Sequence, residues 1–187
     1  YGEKYGEQRN AARAAKGPRI DKRDPIINSR TTFGHWEMDS VVGKKGTKAA
    51  LCVLTGRVTR DEIIRKIHDD TAASVVGGTA MFRQVFKSIT VDNGSEFADC
   101  KGMERSCLLP GEKRTHVYYC HPRSPGERGS NEKQNQLIRW FFPKGTDFRK
   151  VTQKEVRRVQ DWINNYPRLI LDWHTSAELF NVFLASL

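Results

Sequence analysis

The sequence predicts an α/β domain built on a mixed five-stranded sheet flanked by helices. Three observations carry this prediction: three apolar stretches joined by short turns, a helical pattern leading into a fourth apolar stretch, and a strand, a loop and a helix after it. The chain has 187 residues, of which 37% are hydrophobic, enough for one domain with a core of ordinary size.

The first three strands are predicted to form an antiparallel meander. Apolar and β-branched residues mark them at 36–42, 48–55 and 60–68. Turn-forming residues lie between them, at 43–46 and 56–57. Connections this short join neighbouring strands that run in opposite directions.

The rest of the sheet is predicted to be parallel. Apolar residues at close to helical spacing indicate a helix over 71–86, and residues 88–91 indicate a fourth strand. A strand, a helix and a strand in this order imply a parallel crossover. A fifth strand is predicted at 116–119, parallel to the fourth. Helices are predicted after it, at 130–142, 152–165 and 175–185.

Positive charge is concentrated in one part of the chain. The 32 Lys and Arg residues exceed the 22 Asp and Glu residues, for a formal net charge of +10. Residues 101–158 carry 14 basic and 6 acidic side chains, whereas residues 31–100 carry 9 of each. Such a surface suits an anionic partner, although a solvated basic face is also compatible. Residues 1–30 are predicted to form a basic linker or arm, and residues 31–187 are predicted to form the domain.

Composition excludes several classes of protein. No run approaches the ~18 consecutive apolar residues of a membrane helix, and the N-terminus has no apolar signal-peptide core. We therefore expect a cytoplasmic protein without a membrane partner. The four cysteines contain no CxxC pair and match neither a disulfide scaffold nor a compact zinc signature.

Three acidic residues lie where a mixed α/β fold places active sites. Asp39 is inside the first strand, Asp92 follows the fourth strand, and Glu132 begins a helix after a basic loop. An Asp within an apolar strand is costly to bury unless it is paired or binds a cation. Asp92 also fits a turn sequence, and Glu132 also fits the first turn of a helix. The three residues are therefore compatible both with a metal site and with purely structural roles. Glu37 shares the strand parity of Asp39 but is assigned no role.

The helix that begins near residue 130 carries further polar groups near Glu132. Arg139 lies seven positions after Glu132, two helical turns along, and Asn135 and Gln136 are close to the same face. A carboxylate, an amide and a guanidinium in line can hold a metal at one end and a phosphate at the other. An ordinary amphipathic helix fits the same pattern.

Four motifs in this sequence resemble those of bacterial insertion-sequence transposases of the IS-thirty type. In chain order they are GHWEMD (34–39), VDNGSEF (91–97), ERGSNEKQNQLIR (127–139) and FPKGTDF (142–148). The resemblance covers about residues 30–182. These transposases belong to the DDE superfamily, with retroviral integrases and ribonuclease H as fold relatives. The resemblance therefore implies a ribonuclease H-like fold.

The resemblance also implies the chemistry of the site. Asp39, Asp92 and Glu132 would be an acidic triad that holds two Mg²⁺ or Mn²⁺ ions for phosphodiester cleavage and DNA strand transfer. Arg139 falls where the superfamily often has a basic residue. The candidates for contacts with DNA are Arg128, Asn131, Lys133, Asn135, Arg139 and Lys144. Trp36 and Phe97 are expected in the core.

The implied partners are double-stranded DNA, as transposon ends and target, and further copies of the chain in a homo-oligomer. A bacterial, nucleoid-associated location is expected. The family's helix-turn-helix has no counterpart here, so DNA binding should depend mainly on phosphates. The 39 residues between Asp92 and Glu132 are several more than is common in the superfamily, and loop 99–114 is a candidate DNA-contacting insertion. Residues 123–126 replace an aromatic segment that the family pattern leads us to expect.

Two alternatives remain beside a transposase catalytic domain. One is a ribonuclease H-like nuclease that cleaves DNA without strand transfer. The other is a non-catalytic DNA-binding module derived from a transposase. Joining of DNA ends separates the first from the transposase, and metal binding by the carboxylates separates the second.

Overall fold

The computed structural model describes residues 17–69, 71–78, 85–106, 109–122 and 124–186. A five-stranded sheet forms its centre. The strands are β1 (His35–Val42), β2 (Ala50–Gly56), β3 (Glu62–Ile67), β4 (Ser88–Val91) and β5 (His116–Tyr119). Their order across the sheet is β3-β2-β1-β4-β5. The first three strands are antiparallel, whereas β4 runs parallel to β1 and β5 runs parallel to β4. The predicted mixed sheet is confirmed.

Helices lie on both faces of this sheet. The α-helices are α1 (Ile26–Ser29), α2 (Ala72–Gly78), α3 (Cys100–Glu104), α4 (Gly129–Phe141), α5 (Gln153–Asn164) and α6 (Ser176–Ala185). The capping box that opens α5 joins Thr152 and Glu155, and each side chain bonds the other's backbone N–H. Within the helix predicted over 71–86, residues 79–84 lie outside the described part of the chain.

Alternating side chains of β1 divide the core into two clusters. Trp36 and Met38 belong to the cluster that packs against α2, α3 and Phe180 of α6. Val41, on the opposite face, belongs to the cluster formed with α4 and α5. The period of two in a strand therefore places Glu37 and Asp39 on the α4 face. Trp36 and Phe97 are fully buried, as predicted.

Part of the segment predicted as an arm packs against the sheet. The N–H of Tyr119 donates to the carbonyl of Pro18 at 2.9 Å. Arg19 Nη1 donates to Asn93 Oδ1 at 2.7 Å, and Ile27 is buried. Residues 1–16 lie outside the described part of the chain, and the domain boundary at residue 30 stays a prediction.

The segment predicted as an inserted loop is anchored to β5. Glu104, at the end of α3, is buried and accepts from the N–H of Val117 at 3.1 Å. Lys113 Nζ lies 2.6 Å from the other carboxylate oxygen of Glu104. Residues 107 and 108 lie outside the described part of the chain, and the predicted contact of loop 99–114 with DNA stays a prediction.

Two buried carboxyl groups at the start of β3 make stability depend on pH. Burial raises the pKa of Asp61 to about 7, against the opposing charge of Arg168. Burial also raises the pKa of Glu62 well above its ordinary value, against a hydrogen bond from Thr55 and the charge of Arg168. In the unfolded chain both groups ionise near pH ~4. The unfolded state therefore loses these protons first, and stability falls as pH rises from about 4 to about 7.

We expect Asp61→Asn to reduce this loss of stability, because the amide has no proton to release on ionisation. Urea unfolding at about pH 4.5 and about pH 7.5 measures the loss in wild type and variant. Asp161→Asn, which replaces an exposed carboxylate on α5, should behave like wild type. If the stability of wild type and of Asp61→Asn depended equally on pH, Asp61 would not be a source of the loss of stability.

Candidate active site

A single arginine brings Asp39 and Asp92 together. Arg128 Nη1 lies 3.1 Å from Asp39 Oδ1, and Arg128 Nη2 lies 2.9 Å from Asp92 Oδ2. Nη1 also donates to the carbonyl oxygen of Met38 at 3.1 Å. The side chain of Arg128 is 16% exposed and that of Asp39 is 21% exposed, whereas that of Asp92 is 37% exposed, so water screens the contact with Asp39 less than the contact with Asp92. Two of the three predicted catalytic carboxylates thus converge on one cationic group.

The two carboxylates stabilise the charged form of Arg128. Burial by itself lowers the pKa of Arg128, but the charges of Asp39 and Asp92 outweigh that effect and raise it. The guanidinium separates two carboxylates that would otherwise repel each other. The arginine therefore acts as their counter-ion in this structure.

The register of β1 and β4 explains why the two carboxylates meet. Glu37 pairs with Thr90, so Asp39 and Asp92, each two residues further along, lie side by side on one face. Asp92 follows β4 directly, at the carboxyl edge of a parallel strand, where open α/β sheets bind ligands.

Hydrogen bonds orient both carboxylates. Asp39 Oδ1 accepts from the N–H of Ser40 at 2.9 Å, and Asp39 Oδ2 accepts from Asn135 Nδ2 at 2.8 Å. Asp92 Oδ1 accepts from the N–H of Gly94 at 2.8 Å. Asn135 thus ties α4 to β1, and each aspartate keeps a fixed direction beside Arg128.

Glu132 lies one helical turn before Asn135 on the same helix. Residues three apart share a helix face, so Glu132 projects from the side of α4 that faces Asp39. Its side chain is exposed. Within the described residues, no three His, Cys, Asp or Glu side chains are arranged to hold a metal ion. The structure therefore joins Asp39 and Asp92, and the place of Glu132 in a triad stays a prediction.

Glu37 is a buried carboxylate without a role predicted from the sequence. Its Oε1 lies 2.5 Å from Arg57 Nη1, and the side chain is fully buried. Its Oε2 accepts from the N–H groups of Ser130 and Asn131, at 3.2 and 3.3 Å. A carboxylate here satisfies N–H groups that a helix start leaves free, and it favours the helix dipole. Glu37 therefore fixes the start of α4; its strand parity with Asp39 was the one signal for it in the sequence.

The remaining predicted DNA-contacting residues are spread over α4 and the loop after it. Lys133 and Lys144 are exposed. Asn131 is buried, and neither atom of its side-chain amide has a hydrogen-bond partner among the described residues. Arg139 Nη2 donates to the carbonyl of Val42 at 2.8 Å, which places it at the far end of β1. Their roles in DNA binding stay predictions.

In the described ranges, no helix combines the length and the apolar character that crossing a membrane requires.

The chain is similar in sequence to several bacterial transposases. The transposase for insertion sequence element IS1086 of Cupriavidus metallidurans is 34% identical over 172 residues, which are 89% of this chain and 49% of that protein. The transposase for IS4351 of Bacteroides fragilis is 34% identical over 86% of this chain and 48% of its own length. Transposase InsI for IS30A of Escherichia coli K12 is 33% identical over 92% of this chain and 44% of its own length.

These relatives are longer than the chain. The chain spans about half the length of the curated relatives it matches. No protein-family profile matches it.

The fold is also found among solved structures. The catalytic core domain of BIV integrase matches with a TM-score of 0.58 and 16% sequence identity, over 83% of this chain and 98% of that domain. At that identity the likeness shows the fold alone, and it confirms the predicted ribonuclease H-like architecture. The resemblance to insertion-sequence transposases is confirmed as well: most of the chain is related in sequence to part of these transposases and has the fold of an integrase catalytic core.

Proposed function

We propose that the chain is the catalytic domain of a DNA transposase, which cleaves phosphodiester bonds at insertion-sequence ends and transfers the freed strand to target DNA. The observation that carries this proposal is the pairing of Asp39 and Asp92 at the carboxyl edge of β4, in a chain whose relatives are transposases. Double-stranded DNA is the proposed partner, and a homo-oligomer that holds two ends is proposed with it.

The donor atoms of the site suit a divalent cation. Carboxylate oxygens are hard ligands of the kind that Mg²⁺ and Mn²⁺ prefer. The guanidinium of Arg128 already lies as a positive charge between Asp39 and Asp92. We assign Asp39, Asp92 and Glu132 as the residues that would hold two metal ions. Bound there, such ions would activate a water or a 3′-hydroxyl and stabilise the leaving oxygen.

The protein's own groups prepare this site in three ways. Asn135 holds the Asp39 carboxylate, and the N–H of Gly94 holds that of Asp92. Glu37 fixes the first turn of α4, from which Glu132 projects. Exposed Lys133 is available to neutralise backbone phosphates next to the reacting one.

A strand-joining assay tests the proposed function. The chain is incubated with a labelled duplex that carries the element's terminal inverted repeat, a target plasmid and Mn²⁺. Label joined to the plasmid supports the transposase. Cleaved duplex without joined product would instead support a nuclease, and binding without cleavage would support a DNA-binding module.

We expect Arg128→Ala to bind Mn²⁺ more tightly than wild type in the absence of DNA. Two unit charges about 4 Å apart interact by roughly 1 kcal/mol in bulk water and by roughly 4 kcal/mol near a protein surface. Removing the competing cation should therefore raise the affinity for Mn²⁺ about tenfold or more. Calorimetric titration with Mn²⁺ measures the change. Arg149→Ala, which removes an arginine paired with Asp147, is the matched control. Unchanged or weaker Mn²⁺ binding by Arg128→Ala would contradict this competition.

A further inference from the structure

A polar cavity lies next to the chain segment that carries Arg128. Its volume is about 440 Å³, and three arginines line it: Arg23, Arg30 and Arg57. Glu127, which directly precedes Arg128, lies on its wall. A residue of the cavity wall is therefore the chain neighbour of the arginine that contacts Asp39 and Asp92.

Arg23 is a buried cation without a carboxylate partner among the described residues. It is 7% exposed, and its Nη1 donates to Thr90 Oγ1 at 2.8 Å. Its Nη2 donates to Asn28 Oδ1, while its Nε has no hydrogen-bond partner in the described part of the chain. Both partners are neutral. Burying a guanidinium in this way is costly unless an anion compensates its charge.

The acidic groups of the cavity have a cation of their own. Asp21 Oδ2 lies 2.9 Å from His121 Nε2, and Glu127 Oε1 lies 2.8 Å from His121 Nδ1. Hydrogen bonds with Glu127 and Asp21 raise the pKa of His121, which favours the charged imidazolium. These two carboxylates are engaged at His121. Burial lowers the pKa of Arg23, and the opposing charges, including those of Glu37 and Glu127, do not outweigh it, so the charge of Arg23 is only partly compensated.

The arginines also act on one another. Burial lowers the pKa of Arg57 to about 10; Glu37 opposes this shift, and the charges of Arg23 and Arg30 add to it. Arg57 is paired with Glu37, whereas Arg23 and Arg30 have no salt-bridge partner in the described ranges. The cavity wall thus carries an excess of positive charge that a single anion would relieve.

We propose that this cavity binds a phosphate group and that, in the reaction assigned above as the proposed function, it holds a backbone phosphate of the DNA strand near the carboxylates. Guanidinium groups match phosphate oxygens in geometry and charge. Thr90, which Arg23 contacts, lies two residues before Asp92 on the same face, roughly 7 Å along the strand.

Arg30 is the residue to replace, because it is half-buried and its side chain has no hydrogen bond or ion pair among the described residues. Two binding measurements compare wild type with Arg30→Gln, and neither depends on catalysis. The first is the thermal stabilisation of the chain by inorganic phosphate against chloride at equal ionic strength. The second is the salt dependence of binding to a DNA duplex.

Arg30→Gln is expected to lose stabilisation by phosphate and to lower the slope of log K against log[salt] by ~0.9, the value for one phosphate contact. Arg30→Lys keeps the charge and should retain most of the slope. Arg65→Gln, on β3, is the control and should match wild type, since its guanidinium bonds the carbonyl of its neighbour Ile64.

Two results would overturn the proposal. Loss of stabilisation by phosphate with an unchanged DNA slope would identify a site for free phosphate or a nucleotide. No change in either measurement would show that the cavity does not bind phosphate. Failure of strand joining, by contrast, would overturn the proposed function and leave both binding measurements valid.

Discussion

Asp39→Asn is expected to reduce strand joining by about a thousandfold or more while the protein stays folded. Asparagine preserves the shape of the side chain but removes the charge that Arg128 pairs with in this structure. Stabilisation of the transition state by a bound metal is worth several kcal/mol, and each ~1.4 kcal/mol corresponds to a factor of ten in rate. Asp92→Asn and Glu132→Gln should have effects of the same order if the three carboxylates act together.

The yield of joined product with Mn²⁺ measures these effects, and calorimetric titration measures metal binding in the same proteins. Asp161→Asn removes an exposed carboxylate from α5 and should join DNA like wild type. Full activity in all three variants would contradict the assignment of Asp39, Asp92 and Glu132 as a catalytic triad. Full activity in Glu132→Gln alone would limit the site to Asp39 and Asp92, the two carboxylates that Arg128 joins.

Glu37→Gln is expected to lower the free energy of unfolding by roughly 3 to 5 kcal/mol, the cost of breaking a buried ion pair on one side. The substitution leaves the Arg57 guanidinium buried without its counter-charge. It also weakens the acceptor for the N–H groups of Ser130 and Asn131 at the start of α4. In a chain of this size such a loss lowers Tm by roughly 6 to 20 °C.

Urea unfolding measures this change, and a second variant tests its cause. Glu37→Gln combined with Arg57→Gln should lose less stability than the sum of the single changes, because no buried charge is left unpaired. Glu132→Gln replaces an exposed carboxylate in the same first turn of α4, and it should lower the free energy of unfolding by no more than about 1 kcal/mol. A loss below that size in Glu37→Gln would show that the ion pair does not hold α4 in place.

Much of the fold could be predicted because its signals are local. Strands predicted at 88–91 and 116–119 have those bounds in the structure, since short apolar runs between turn residues define them. The capping box of Thr152 and Glu155 spans four consecutive residues and could be identified from their spacing. The parallel crossover followed from the order of the elements.

The candidate site could be predicted in part. Asp39 and Asp92 stood out as carboxylates within or after apolar strands, and the structure brings them together. Arg128 was predicted to contact phosphate, but its partners here are these two carboxylates. The packing of residues 17–30, and with it the buried position of Arg23, had no signal in hydrophobic spacing, because polar contacts hold much of that segment.

The sequence by itself determined the order of the elements and the face of β1 on which Asp39 lies, because side-chain periodicity depends only on neighbouring residues. Only the tertiary structure decided which charges are compensated. Arg128 meets Asp39 and Asp92 from a short 3-10 helix directly before α4, Glu37 meets Arg57 across a strand pair, and Arg23 is buried against β4. Burial determines whether a charge needs a partner, and burial arises only when these distant elements pack together.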